Sequence, residues 1–126
     1  MSNNESMEMY LETVYILENN HGHAHGVDIA KHLGVSKPSV TKAIKNLKDQ
    51  GLVNTQKYGT ITLTEKGREI SAEIYNNHQI LELFLEHSLK LSPNEASMNA
   101  CKIEHVVSEE MLEAIKSYLK KHNIGM

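Results

Sequence analysis

Tryptophan is absent, phenylalanine and cysteine occur once each, and only two prolines interrupt the 126 residues. Five tyrosines supply most of the aromatic rings, which argues against an aromatic-rich β-sandwich. It argues equally against the stacking platforms that hold single-stranded nucleic acid. One cysteine cannot close an internal disulfide, and that suits a reducing cytoplasm. No apolar run approaches the roughly 20 residues a membrane helix needs. The opening segment, MSNNESMEMY, has neither a basic nor an apolar export region. The expected setting is therefore cytoplasmic, with no membrane partner. Apolar residues at 40% and charged residues at 23% describe ordinary globular chemistry, enough for one domain or two small ones.

The net charge of -3 hides an uneven distribution. Residues 1–29 hold five acids and no Lys or Arg, and residues 69–126 hold nine acids against five bases. Between them, residues 30–68 hold eight bases against Asp49 and Glu65. A basic block between acidic flanks attracts a polyanion to the middle of the chain and repels it elsewhere.

Apolar spacing at Met7, Tyr10, Leu11, Val14 and Leu17 predicts a helix over 7–19. The Gly- and Asn-rich stretch 19–26 reads as a break, and its His21, His23 and His25 as a solvated turn. A short helix is expected at about 27–33, ended by Gly34. Ser36 then caps a helix with Pro38 in its first turn. That helix buries Val40, Ala43, Ile44 and Leu47, presents Lys42, Lys45 and Lys48 elsewhere, and takes Gly51 as its C-cap. The period then changes to two over 52–64, giving a hairpin about a turn at 57–60. Helical spacing returns over 65–89, then from Ser92-Pro93, and again after Ser108. The fold class is mainly α with a small β-hairpin: a winged helix-turn-helix at 1–65, then a helical domain at 66–126 whose surplus apolar surface suggests a homodimer interface.

A helix entering the major groove needs short or polar side chains in its first turn and cations along its flank. Ser36, Lys37, Pro38, Ser39, Thr41 and Lys42 meet the first need, and Lys45 and Lys48 the second. Lys57 and Tyr58 at the wing tip can lie on the DNA backbone or in the minor groove. A solvated basic helix is the plainer alternative. Cys101, Glu104 and His105 are spaced i, i+3, i+4, so on a helix a thiolate, a carboxylate and an imidazole share one face, and that set suits a transition metal. Met9 with Glu12, and His78 with Glu82, repeat helical spacing elsewhere. Taken one at a time, these residues also fit a core Met, a buried Cys and exposed ion pairs.

These stretches resemble the diphtheria-toxin-repressor family of metal-activated repressors over residues 7 to about 122. The resemblance is carried by SMEMYLETVY at 6–15, S-x-P-S-V-T at 36–41, G-L-V at 51–53 and L-T-x-K-G at 63–67. H-x-x-x-E at 78–82 and A-C-x-x-E-H-V-x-S at 100–108 add to it. It implies Met9, Cys101, Glu104 and His105 as a primary site of the iron type. It implies His78 and Glu82 as positions of an ancillary site, and Ser36, Pro38 and Lys42 as base readers. Two departures stand out. Ser97 occupies a place where iron-type members have histidine, and the chain ends before their C-terminal β-barrel domain. Glu12 matches a ligand of the manganese branch, so Glu12 and His78 are expected in a rearranged second site. Thioether and thiolate ligands favour Fe(II), Co(II), Ni(II) or Zn(II) over Mn(II), and cellular availability together with the resemblance selects Fe(II). The expected activity is repression of metal-uptake genes by a homodimer on a near-palindromic operator, with recognition helices roughly 34 Å apart and no organic ligand. A manganese-responsive regulator and a metal-blind winged-helix regulator are the alternatives. A metalloenzyme or metal buffer is disfavoured by the lack of a nucleophile–base pair or a phosphate loop.

Overall fold

Three serines open three of the helices. In the computed structural model, which describes residues 3–125 without the side chains of Asn3, Asn4 and Tyr58, Ser36, Ser92 and Ser108 accept from the backbone N–H of Ser39, Glu95 and Met111 at 3.3, 3.2 and 3.1 Å. Each satisfies a donor that the helix itself leaves over. The element order is α1 (Asn3–His21), β1 (Ala24–His25), α2 (Gly26–Leu33), α3 (Lys37–Asp49), β2 (Val53–Thr55), β3 (Thr60–Leu63), α4 (Glu65–Leu89), α5 (Pro93–Ile103) and α6 (Glu109–Lys121). A 3₁₀ turn over Lys57–Gly59 joins β2 to β3. This is the mainly helical, winged helix-turn-helix order that the sequence predicts, followed by three further helices.

The chain divides into two compact units, residues 1–73 and 74–126. In the first, α1, α2, α3 and the sheet enclose a core that includes Leu11, Val14, Ile29, Leu47 and Val53. Gly34 ends α2 in the left-handed conformation (φ 68°, ψ 39°). The α3 helix closes one residue earlier than Gly51: Gln50 is the cap. Gly51, at φ 75°, is the next residue, and the Leu52 N–H returns to the Leu47 carbonyl at 2.9 Å, a common glycine-dependent helix ending.

The sheet differs from the expected hairpin. Its strands run β1-β3-β2, all antiparallel, so the 19–26 break contains a short strand pairing Ala24 with Ile61 and His25 with Thr60. Gly22, at φ 84°, turns the chain from α1 into it. Behind the sheet, the LTEKG segment has a geometric reason. The Thr64 hydroxyl donates to the Gly51 carbonyl at 2.7 Å and accepts from the Gly67 N–H at 3.0 Å. A Cβ at position 67 would stand 2.0 Å from the Leu52 carbonyl oxygen, so only glycine fits. Glu18 of α1, almost buried, accepts from the Leu63 N–H at 2.7 Å and pairs with Arg68.

In the second unit the C-terminal part of α4 packs with α5 and α6 around Leu81, Ala96, Ala100, Leu112, Ile115 and Leu119. Phe84 and Tyr118 meet edge to face, with centroids 5.3 Å apart. Ala96 and Ala100, both fully buried, let α5 approach closely. No helix among the described residues is long and apolar enough to cross a membrane.

Candidate functional site

The motif residues for DNA and for metal lie in both units. In the first unit, α3 buries Val40, Ile44 and Leu47 and leaves Ser36, Lys37, Pro38, Ser39, Thr41, Lys42, Lys45 and Lys48 exposed. The 3.6-residue period that buries the apolar stripe is what turns these residues outward. The Ser36 and Ser39 hydroxyls lie 2.9 Å apart, and the Thr41 hydroxyl donates to the Lys37 carbonyl at 3.1 Å. Lys45 and Lys48 line a groove of about 420 Å³ with Thr55, Gly59 and Ile61 of the hairpin. Cations are thus placed along the edge of α3 that faces the wing. Lys57 is exposed at the hairpin tip, while the Tyr58 side chain lies outside the described residues. Asn46, exposed on α3 beside Lys42 and Gln50, joins this surface. Pattern reading passes over it because a lone polar residue between lysines carries no periodic signal.

Met9 and Glu12 lie one turn apart on α1. Glu12 is buried, and the Met9 carbonyl accepts from the Thr13 hydroxyl at 2.8 Å. Both belong to the first unit.

In the second unit, four ionisable side chains form a continuous chain. His78 Nε2 lies 3.2 Å from a Glu82 carboxylate oxygen, one turn further along α4. His78 Nδ1 lies 3.1 Å from Glu104 Oε2, and the other Glu104 oxygen lies 3.2 Å from His105 Nε2. The Glu104 side chain is wholly buried and that of His105 nearly so. The Ser97 hydroxyl stands 3.5 Å from His78 Nε2, and Tyr75 stacks parallel to the His78 ring at 6.4 Å. Cys101 is exposed, and its sulfur lies within 4.8 Å of a Glu104 oxygen.

The helix that carries this motif is shorter than its spacing suggests. Its last residue is Ile103; Glu104 is the cap and His105 belongs to the turn that follows. Residues i and i+1 on an unbroken helix do not face each other. The turn is what brings the Glu104 carboxylate and the His105 imidazole together. Glu104 keeps a helical backbone, with its N–H on the Ala100 carbonyl at 2.9 Å, so the i, i+3 relation to Cys101 survives. His78 and Glu82, which the sequence pattern sets apart, stand in the same chain as Glu104 and His105.

The donor set suits a transition metal. Imidazole nitrogen, carboxylate oxygen and thiolate sulfur are all ligands for such ions, and an ion would take one ring nitrogen of His78, either the one near Glu82 or the one near Glu104. Two carboxylates offset the charge of a divalent ion, and burial of Glu104 strengthens that attraction.

Comparison with known proteins finds matches along nearly the whole chain. Residues 4–61 match the family model described as the iron dependent repressor N-terminal DNA binding domain, and residues 64–123 match its metal binding and dimerisation domain. An uncharacterised HTH-type transcriptional regulator of Methanocaldococcus jannaschii is 38% identical over 118 residues, covering 93% of this chain and 94% of that protein. The transcriptional regulator MntR of Escherichia coli O157:H7 is also 38% identical over 118 residues, covering 94% and 76%. The solved structure of the manganese regulator SloR superposes with a TM-score of 0.79 at 30% identity, over 95% of this chain and 55% of that one. The chain therefore spans nearly all of its archaeal relative and about half of the solved one.

Proposed function

The chain belongs to the iron dependent repressor family of transcription regulators, which are not enzymes, and from that premise we propose that it is a DNA-binding repressor activated by Fe(II). The observation that carries the reading is the Glu82–His78–Glu104–His105 chain with Cys101 at its edge. Cys101, Glu104, His105, His78 and Glu82 are its ligand candidates in the helical domain, 66–126. Met9 and Glu12 on α1 complete the set on the strength of sequence pattern and family resemblance. A bound divalent ion supplies the positive charge that holds carboxylates and thiolate together. The protein's own contribution is the buried Glu104, which has an imidazole nitrogen 3.1 Å from one oxygen and 3.2 Å from the other.

In the DNA-binding domain, 1–65, Ser36, Lys37, Pro38, Ser39, Thr41 and Lys42 contact base edges at the start of α3. Lys45 and Lys48 contact the backbone, and Lys57 and Tyr58 the backbone or the minor groove. Two such heads on a homodimer read a near-palindromic operator in the cytoplasm, controlling metal-uptake genes. Exposed Leu89, Met98, Val106 and Met111 provide apolar surface in the helical domain for self-association. Metal acts as corepressor to the extent that it binds the DNA-competent state more tightly.

A second reading, activation by Mn(II), is favoured by the two carboxylates in the chain, which are hard oxygen donors. Anaerobic gel shifts on promoter DNA of metal-uptake genes, with Fe(II), Mn(II), Co(II), Ni(II) and Zn(II) in turn, separate the two. A shift with Fe(II) at concentrations where Mn(II) gives none supports the first. A shift with Mn(II) alone replaces it, and a metal-independent shift overturns both.

A further inference from the structure

The histidines that the sequence presents as a solvated turn have a defined place in the fold. Gly22 turns the chain out of α1, and residues 23–25 run extended into β1. Alternation along an extended chain sends Ala24 into the core, where it is buried, and puts His23 and His25 on the opposite face together. Their Nε2 atoms lie 3.1 Å apart, with the rings edge to face at 4.8 Å. Both are half-buried and border a hollow of about 610 Å³ that His21, Asp28 and His32 also line. Asp28 and His32 are one turn apart on α2, so both project from one side of that helix.

The geometry points to a second transition-metal site in the DNA-binding unit, with His23 and His25 as its fixed ligands and Asp28, His32 or His21 completing the shell. Two neutral imidazoles can share a 3.1 Å Nε2–Nε2 contact only if one nitrogen donates and the other accepts. A cation between them removes that requirement, because both nitrogens then act as acceptors toward it. The separation is that of adjacent ligands on one ion, roughly 3.0–3.4 Å for bonds of about 2.1 Å. Imidazole nitrogen suits Zn(II), Cu(II), Ni(II) and iron, and Asp28 contributes the offsetting charge. Among the described residues, Lys31 is the only Lys or Arg lining the hollow, and it is exposed. The site uses none of the residues assigned to the other centre, so either can fail without the other. Occupancy joins the strand that pairs with the wing to the helix that starts the helix-turn-helix.

Ni(II) titration of the full chain by calorimetry, with bound metal counted by mass spectrometry, provides the test. Wild type is expected to bind one more Ni(II) per chain than the double variant His23→Gln, His25→Gln, and Cys101→Ala is expected to keep that additional equivalent. Asp28→Asn should weaken it at least roughly tenfold if Asp28 is the third ligand; an unchanged affinity passes the third position to His32 or His21 and leaves the two-histidine site standing. As a check independent of variant folding, the imidazole nitrogen resonances of His23 and His25 in wild type should shift as the additional equivalent of Zn(II) is added. Equal stoichiometry in wild type and double variant, or unmoved His23 and His25 resonances at saturation, overturns the site.

Discussion

Glu104 is the residue on which the candidate centre turns. Its carboxylate reaches His78, 26 positions away, with one oxygen and His105 with the other. Local periodicity cannot announce the first contact, and the second depends on a helix ending at Ile103 without a Gly or Pro to mark it. The residue types and the Cys101–Glu104 spacing were legible in the sequence. The joining of His78 and Glu82 to Glu104 and His105 was not. Each imidazole offers one atom that a methyl cannot replace, so His78→Ala should weaken metal binding at least tenfold, as measured by competition with a chelating dye. As a proposed ligand, Cys101 would set softness rather than strength. Cys101→Glu with Met9→Asp should move preference from Fe(II) toward Mn(II), and an unchanged order of affinities in the same assay would remove ligand hardness as the selector. On the DNA face, Lys45→Ala should weaken all duplexes about equally and lower the salt slope by roughly 1, read from binding isotherms at several salt concentrations.

At the scale of elements, the long helix α4 was the most legible piece, because Ile70, Ile74, Ile80, Leu81 and Phe84 keep its period over the full span Glu65–Leu89. The least legible was β1. Two residues are too few to show a period, and the flanking histidines and glycines read as a break. What holds it is pairing to β3, some 36 residues later, a tertiary effect that overrides local propensity. The junction between wing and α4 is equally non-local, since Gly67 must clear the Leu52 carbonyl. Backbone cannot rotate out of the way as a side chain can, so Gly67→Ala should cost about 1–3 kcal/mol of stability, measured by urea unfolding. Ser36→Ala, which removes only a cap hydrogen bond, should cost about 1 kcal/mol by the same measurement. A smaller loss for Gly67→Ala than for Ser36→Ala would contradict the close approach.

For the whole molecule, ligand chemistry fixes a sign. Imidazolium, thiol and carboxylic acid must shed a proton to bind a cation, so metal binding releases protons and affinity rises with pH. Calorimetry in two buffers of different ionisation enthalpy should show that release directly. Charge is distributed to match: the basic middle of the chain carries the proposed DNA face, and the acidic remainder carries the proposed metal ligands. If metal activates DNA binding, the coupling is reciprocal, and the factor by which metal tightens DNA must equal the factor by which DNA tightens metal. The most direct measurement is therefore the Fe(II) affinity of the full chain, determined anaerobically with and without saturating operator duplex. The account predicts tighter Fe(II) binding with DNA present, by roughly 5–150-fold, and loss of the difference in Glu104→Gln. Equal Fe(II) affinity with and without DNA would contradict it.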